Sequence, residues 1–224
     1  MIKAIVTDIE GTTSSLSFVK DILFPYARCH LPDYIRTRQH DDEMVALLAD
    51  AKKIAGAELN IEQLINQFLD WLDADQKITP LKALQGLIWK AGYLQGDFKG
   101  HIYADAAEQL KLFKDSGYEL FIYSSGSVYA QKLLFSQSEF GDLTPLFSGY
   151  FDTNIGNKRE VASYQRIAEQ IQCAPLEILF LSDIKEELDA AQQAGFATYW
   201  LVRGQIPDPQ ASHRQVADFK EIKL

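Results

Sequence analysis

Residues 2–13, IKAIVTDIEGTT, join a short apolar run to a turn that carries acidic and hydroxyl side chains. The apolar run is typical of a strand that is buried on both faces, as in a parallel sheet covered by helices. Side chains alternate along a strand, so Asp8 and Glu10 can point the same way, and Gly11 lets the backbone approach a ligand. Hard oxygen ligands at this spacing suit Mg²⁺. The alternative interpretation is a polar turn that only ends a strand.

Further short apolar runs, rich in β-branched and aromatic residues, predict the rest of this sheet. They lie at 119–124, 177–182 and 197–202, with a shorter strand at 149–152. Helices are predicted between them, over 105–116, 128–136, 160–172 and 185–194. The alternation of strand and helix predicts an α/β fold with a doubly wound, Rossmann-like parallel sheet.

A long stretch after the first strand has a different texture, because it predicts helices and no convincing strand. Asn60 and Gln63 have the spacing of a capping box, and Thr79-Pro80 is a favourable helix start. Gly92 is expected to end that helix. The apolar stripes of these helices predict the core of a helical bundle, with a binding groove as the alternative.

The chain therefore divides into three predicted segments. Residues 1–15 hold the first strand and its loop, residues 16–98 form an all-helical insert, and residues 99–224 complete the α/β domain. The place of the insert matters, because open α/β sheets bind ligands at the carboxyl ends of their strands.

Three further strand ends carry polar side chains. Ser124 and Ser125 precede a helix whose free N–H groups and dipole favour an anion, although ordinary helix capping is the alternative. Lys158 lies in a loop before a helix, where a cation is unfavourable unless an anion is close, although most lysines are solvated. Asp183, with Glu187 shortly after it, offers another metal ligand or a helix cap.

These loops follow four strands in order, at one edge of the predicted sheet, and together they resemble the haloacid dehalogenase-like phosphohydrolases. The longer segments DIEGTT, SFVKDILFPYAR, YSSGSVYAQKLLF, FDTNIGNK and ILFLSD are similar to the enolase-phosphatases of methionine salvage. This resemblance covers nearly the whole chain and implies a helical cap inserted after the first strand. It also implies a Mg²⁺-dependent enzyme that enolises 2,3-diketo-5-methylthiopentyl 1-phosphate and removes the phosphate through an aspartyl-phosphate, which yields an acireductone.

The resemblance further implies the role of each acid around the metal. Asp8 would be the nucleophile, and one Mg²⁺ per subunit would be held by Asp8, Glu10 and Asp183, with Glu10 contributing its backbone carbonyl. Many phosphatases of the superfamily have a second aspartate as the acid–base residue, whereas this chain has Glu10. Its carboxylate is left with two possible roles, protonation of the leaving group or the enolisation step. The sequence does not identify the base that removes the proton for enolisation.

The remaining implied roles concern the phosphate. The Ser124 hydroxyl and the Ser125 N–H would hold phosphate oxygens, and Lys158 would offset charge on the nucleophile and on the phosphoryl group. Glu187 would steady metal-bound waters. Asp8, Glu10 and Lys158 are thus the expected catalytic residues.

Composition limits the other classes of function. Apolar residues make up 47% of the 224 residues, which excludes wholesale disorder. No apolar run approaches the roughly 20 residues of a membrane span, and two cysteines are too few for a secreted disulfide framework. The net charge of −9 disfavours duplex nucleic acid and anionic membranes as partners. The expected protein is a cytoplasmic monomer with a small-molecule phosphate substrate.

Three alternatives compete with this interpretation. A dehalogenase of the same fold also uses an aspartate nucleophile but has no need for the acids at Glu10 and Asp183. A sugar-phosphate phosphatase has the same loops, because the cap sets substrate choice. A phospho-acceptor receiver module would lack the helical insert. The four histidines have no metal-ligand spacing and are interpreted as structural or surface residues, and Cys29 as a packed residue.

Overall fold

The computed structural model describes residues 1–224 and divides into two compact units. One unit, Met1–Leu16 with Lys99–Leu224, contains all the strands, and the other, Ser17–Phe98, is helical. Leu16 therefore lies in the α/β unit, one residue beyond the boundary expected from the sequence. None of the helices combines the length and the apolar character needed to cross a membrane.

The strands and helices alternate outside the helical unit. The strands are β1 (Ala4–Thr7), β2 (Glu119–Tyr123), β3 (Phe147–Phe151), β4 (Ile178–Ser182), β5 (Ala197–Leu201) and β6 (Arg214–Val216). The helices are α1 (Phe24–Arg38), α2 (Asp42–Ala55), α3 (Ile61–Asp73), α4 (Thr79–Gln95), α5 (Ala104–Asp115), α6 (Val128–Ser136), α7 (Val161–Ile171) and α8 (Lys185–Gln193). A π-helical stretch, Phe18–Leu23, precedes α1.

All six strands form one parallel sheet in the order β3-β2-β1-β4-β5-β6. This order confirms the prediction of a doubly wound α/β fold, because the chain adds strands first on one side of β1 and then on the other. β1 lies between β2 and β4, so the carboxyl ends of these three strands are neighbours. The sheet thereby brings together loops that are more than 100 residues apart in the chain.

Two strands differ from the expectation. β3 begins two residues before the predicted start at 149, and β6 was not predicted at all. β6 has only three residues, Arg214–Val216, and two of them are polar. Such a short polar strand is defined by its pairing with β5 rather than by an apolar pattern of its own.

The helical unit has a core of its own. Its four α-helices contribute the fully buried side chains of Leu31, Leu64, Phe68 and Leu84, with Met44 almost as well buried. These residues lie on the apolar stripes of their helices, which confirms that the stripes form a bundle core.

Helix ends in this unit follow the sequence signals in one case and not in another. Asn60 and Gln63 form the predicted capping box, with each side chain accepting a hydrogen bond from the backbone N–H of the other residue. The prediction that Gly92 ends α4 is wrong, since the helix continues to Gln95 and ends at Gly96, whose φ is +80°. Gly92 is buried where a Cβ would lie 2.6 Å from the Phe98 ring, so close packing explains the glycine.

Candidate active site

The loop after β1 is a tight turn that presents Asp8. The backbone N–H groups of residues 12, 13 and 14 all donate to the Ile9 carbonyl, at 3.2, 3.0 and 2.8 Å. Asp8 itself is only 4% exposed and accepts the Ile9 N–H on Oδ1 at 2.7 Å. The Thr13 hydroxyl donates to the Asp8 carbonyl at 3.1 Å. The turn therefore fixes both the backbone and the carboxylate of Asp8.

Lys158 meets Asp8 in the interior of the α/β unit. Its ammonium Nζ lies 2.6 Å from Asp8 Oδ1 and 2.7 Å from Glu187 Oε2, and the residue is 8% exposed. Burial opposes the charged form of Lys158, but Asp8 and Glu187 outweigh burial and raise the pKa of the lysine. The lysine is therefore a buried cation between two carboxylates, and the surface interpretation of Lys158 is wrong.

The loop before Lys158 is held by two tyrosines that the sequence analysis did not identify. The Tyr123 hydroxyl donates to the Gly156 carbonyl at 3.0 Å, and the Tyr164 hydroxyl donates to the Lys158 carbonyl at 2.6 Å. Gly156 has a φ of +139°, and a Cβ there would lie 2.1 Å from the Ser163 hydroxyl. Both tyrosines are fully buried, so they read as ordinary core residues in the sequence.

Asp183 follows β4 and packs directly on the Asp8 loop. A Cβ on Gly11, whose φ is +77°, would lie 2.1 Å from Asp183 Oδ2, so only glycine allows this approach. The Thr12 hydroxyl donates to Asp183 Oδ1 at 3.4 Å. Burial and the negative charge of Asp8 raise the pKa of Asp183 to about 6. Asp183 does not cap α8, because the N-cap residue is Ile184.

Glu187, in the first turn of α8, is the second acid on Lys158. Its Oε2 also accepts the Ser182 hydroxyl at 2.9 Å, and that hydroxyl in turn accepts the Ile184 N–H at 3.1 Å. Burial and the charge of Asp8 raise the pKa of Glu187 to about 7, while Lys158 acts in the opposite direction. The structure thus places Glu187 against the lysine, and its expected role toward metal-bound waters stays a prediction.

The loop after β2 carries the predicted anion-binding serines. Ser124 is 3% exposed and its N–H donates to the Phe151 carbonyl at 3.1 Å. Ser127, not Ser125, is the N-cap of α6, and its hydroxyl accepts the Ala130 N–H. Ser125 is thereby free of the capping role.

A cavity of about 300 Å³ adjoins this loop. Its lining residues are Ser125, Thr153, Asn157, Lys158, Arg159 and Glu187. The cavity therefore has hydroxyl, amide and cationic groups on its walls, which is the chemistry that recognises a phosphate.

The acids at the sheet edge fit a magnesium ion. No three His, Cys, Asp or Glu side chains form a metal cage anywhere in the chain. Mg²⁺ commonly uses only one or two protein carboxylates and completes its shell with water and substrate phosphate. Asp8 and Asp183 would supply two such carboxylates, and burial and the charge of Asp8, which together raise the pKa of Asp183, are both offset by a bound cation.

The structure brings most of the predicted site residues together. Contacts join Asp8, Lys158 and Glu187 directly, and Thr12 links Asp183 to the same loop. Glu10 lies in this loop and its backbone bridges to Ser14, while the role of its carboxylate stays a prediction. Thr12 and Thr13 were quoted in the sequence motif, but their individual bonds depend on the folded turn.

Comparison with known proteins defines the family to which the chain belongs. The model of the haloacid dehalogenase-like hydrolase family matches residues 2–195. This match covers most of the chain and agrees with the parallel sheet and the acidic loops at its carboxyl edge. The chain therefore belongs to the haloacid dehalogenase-like hydrolases, and the prediction of this family is confirmed.

Individual relatives place the chain more narrowly within this hydrolase family. Enolase-phosphatase E1 of Thioalkalivibrio sulfidiphilus is 56% identical over 222 residues, which are 99% of each chain. The crystal structure of the UTR4 protein of Saccharomyces cerevisiae has a TM-score of 0.86 and 36% identity, and the match covers 99% of this chain and all of that one. Within the hydrolases, the chain belongs with the enolase-phosphatases, and it is an enzyme of the phosphatase type.

A dehalogenase structure is also similar, with a TM-score of 0.59 and 20% identity over 98% of this chain and 95% of that one. At this identity the likeness shows a shared fold and carries nothing about the reaction.

Proposed function

We propose that this chain enolises 2,3-diketo-5-methylthiopentyl 1-phosphate and then hydrolyses its phosphate ester, which releases an acireductone and inorganic phosphate. The observation that carries the phosphatase step is the buried Lys158 ammonium between Asp8 and Glu187. The enolase step rests on the full-length similarity to proteins named enolase-phosphatase.

Asp8 is the proposed nucleophile. One carboxylate oxygen attacks phosphorus, the bond from phosphorus to the enol oxygen breaks, and water then hydrolyses the aspartyl-phosphate to restore Asp8. Phosphoryl transfer depends mainly on positioning and charge stabilisation. Asp8 is positioned by the Ile9 N–H and by Lys158, both on Oδ1. Lys158 also offsets negative charge as the phosphoryl group approaches the carboxylate.

The phosphate is held by the loop after β2. The Ser124 hydroxyl and the Ser125 N–H are the proposed donors, and Ser125 lines the same cavity as Lys158. Glu187 keeps Lys158 in place by accepting a hydrogen bond from its ammonium at 2.7 Å, which orients the ammonium toward Asp8. A net charge of −9 does not oppose a phosphate here, because local cations decide the local field.

One Mg²⁺ per subunit is proposed, with Asp8, Asp183 and the Glu10 backbone carbonyl as its ligands. When bound, the ion neutralises charge on the phosphoryl group and acts as a Lewis acid toward substrate oxygens. The Glu10 carboxylate is proposed for proton transfer, either to the leaving oxygen or in the enolisation step. The two steps have different signals, so a Glu10→Gln variant assigns the role directly.

We further propose that the helical unit Ser17–Phe98 is the cap that selects the substrate, and that the protein is a cytoplasmic monomer. An ordered core of its own allows this unit to act as one body in substrate selection. Nucleic acid and membrane are not proposed as partners, given the net charge and the absence of an apolar span.

The test follows ultraviolet absorbance and phosphate release together on the diketo methylthio phosphate, with Mg²⁺ and with a chelator. We expect enol absorbance to precede phosphate release, and the chelator to abolish release. Phosphate release from sugar phosphates alone would overturn the substrate while keeping Asp8 as the nucleophile. No release from any phosphate ester would overturn the whole proposal.

A further inference from the structure

Arg203 lies just past the end of β5 and donates a hydrogen bond from each of its three guanidinium nitrogens. Its Nη1 and Nη2 donate to Asp105 Oδ1 and Oδ2 at 3.1 and 2.9 Å, and its Nε donates to the Thr12 carbonyl at 2.7 Å. The side chains of Arg203 and Asp105 are 13% and 16% exposed. A two-pronged Arg–carboxylate pair of low exposure has a defined orientation, in contrast to a surface ion pair.

The surroundings lock the plane of this guanidinium. Its Cζ lies 3.8 Å from the centre of the Tyr103 ring and 5.5 Å from that of Phe219. The Phe219 N–H donates to Asp105 Oδ2 at 2.9 Å. Burial raises the pKa of Asp105, but Arg203 and the Phe219 N–H outweigh burial and hold the pKa below its usual value. Asp105 is therefore an anion at neutral pH.

The Thr12 carbonyl that Arg203 holds belongs to the loop after β1, which carries Asp8. The next carbonyl along, that of Thr13, accepts the Tyr103 N–H at 2.9 Å, so two successive loop carbonyls are held by a pair of residues that stack on each other, Arg203 and Tyr103. The hydroxyls of the same two threonines bond next to the site, since Thr12 donates to the Asp183 carboxylate and Thr13 donates to the backbone carbonyl of Asp8. The loop is thus held through its carbonyls, while its hydroxyls bond the Asp183 side chain and the backbone of Asp8.

We propose that Arg203, held in orientation by Asp105, is a positioning residue for phosphoryl transfer. It fixes the Thr12 carbonyl and thereby the register of Asp8 against Asp183. This inference rests on the proposed function, since it assigns Arg203 to the same site. The third bond, from Nε to the Thr12 carbonyl, joins this ion pair to the loop that carries Asp8. Lysine cannot replace the arginine, because one ammonium lacks the rigid fork that serves a carboxylate and a carbonyl together.

The test compares Arg203→Lys with a control of the same substitution type, Arg214→Lys. Arg214 also stacks on an aromatic ring, with its Cζ 5.0 Å from the centre of the Tyr199 ring, but it is the first residue of β6 and so lies at the amino end of a strand. A misplaced reacting group costs about 10²-fold in rate. We therefore expect kcat for phosphate release to fall about 10²-fold in Arg203→Lys, with KM changed by less than about threefold. Arg214→Lys is expected to retain the kcat of the parent protein.

Asp105→Asn is the second variant, because it weakens the fork and keeps the Nε bond to Thr12. We expect a loss of kcat of about tenfold, between the parent protein and Arg203→Lys. If Arg203→Lys does not fold, Asp105→Asn decides the matter. A folded variant with lowered thermal stability and the kcat of the parent protein would overturn the positioning role and leave only a structural one.

A binding measurement separates this inference from the substrate assignment. Beryllium fluoride with Mg²⁺ imitates a phosphoryl group on an aspartate, so its calorimetric affinity reads the Asp8 loop without turnover. We expect at least a tenfold weaker affinity in Arg203→Lys than in Arg214→Lys. Kinetics with p-nitrophenyl phosphate are measured in parallel, so failure of the diketo substrate would not affect the result. Equal affinity in both variants would overturn the inference.

Discussion

Replacing Lys158 with methionine tests the buried ion pairs at the centre of the site. The substitution removes the cation and leaves Asp8 and Glu187 facing each other in a region where Lys158 is 8% exposed. At an effective dielectric constant of about 20, each contact corresponds to roughly 6 kcal/mol of Coulomb attraction. Desolvation of the ions offsets several kcal/mol, and removal of one partner from a buried pair typically costs about 3–5 kcal/mol. We therefore expect Lys158→Met to lower the free energy of unfolding by about 3–5 kcal/mol.

The loss of unfolding free energy in Lys158→Met is expected to depend on pH, and the structure gives the direction. Lys158 lowers the pKa of Glu187, so its removal drives that pKa further above its present value of about 7. A carboxyl whose pKa is higher in the folded state binds its proton more tightly when folded, and acid therefore favours the folded variant. In the variant, we therefore expect Glu187 to be protonated at pH 6 and to repel Asp8 less than it does at pH 8. The destabilisation is accordingly expected to be larger at pH 8 than at pH 6.

The assay is urea unfolding in metal-free buffer at both pH values, monitored by circular dichroism. Lys3→Met is the control, because the exposed Lys3 also contacts a carboxylate, Glu177, at 2.8 Å, and surface pairs contribute little. A loss below about 1 kcal/mol for Lys158→Met at both pH values would refute the reasoning, because it would mean that the buried charges do not interact as the distances require.

Three further predictions concern the nucleophile, the glycine of the same loop that packs against Asp183, and the helical unit. Asp8→Asn is expected to fold normally and to lose about 10³-fold or more in turnover, so retained phosphate release would exclude Asp8 as the nucleophile. Gly11→Ala is expected to lose roughly 2–4 kcal/mol in urea unfolding, from positive φ and from the clash with Asp183. Gly56→Ala has a similar φ and no atom within 4 Å, so an equal loss in that control would show that the clash contributes nothing. Asn60→Ala removes the cap of α3 and is expected to cost about 1 kcal/mol, and an unchanged unfolding midpoint would contradict the capping role.

The order of the loops was predictable because each one follows an apolar strand. Parallel strands present their carboxyl ends at one edge, so Asp8, Ser124 and Asp183 had to converge once the fold was correctly predicted. Gly92 shows where local signals are insufficient. A glycine after an apolar repeat is the normal sign of a helix end, yet here a neighbouring ring requires the missing side chain.

The residues that hold the site loops in place could not be predicted from the sequence, for a different reason. Tyr123 and Tyr164 are core aromatic residues by pattern, and only the position of the loop before Lys158 gives their hydroxyls a partner. Arg203 lies 98 residues from Asp105 and 191 from Thr12 in the chain. Arg203 belongs to none of the motifs in the sequence, so nothing in the sequence links it to either residue.

The amino-acid sequence by itself indicated the α/β class, the helical insert and the acidic, hydroxyl and lysine residues of the candidate site, because apolar period and residue chemistry are local properties. The tertiary structure decided which acid each cation meets, since ion-pair partners depend on distances across the sheet edge. It also decided the raised pKa values of Asp183 and Glu187, because burial and the field of Asp8 exist only in the folded chain.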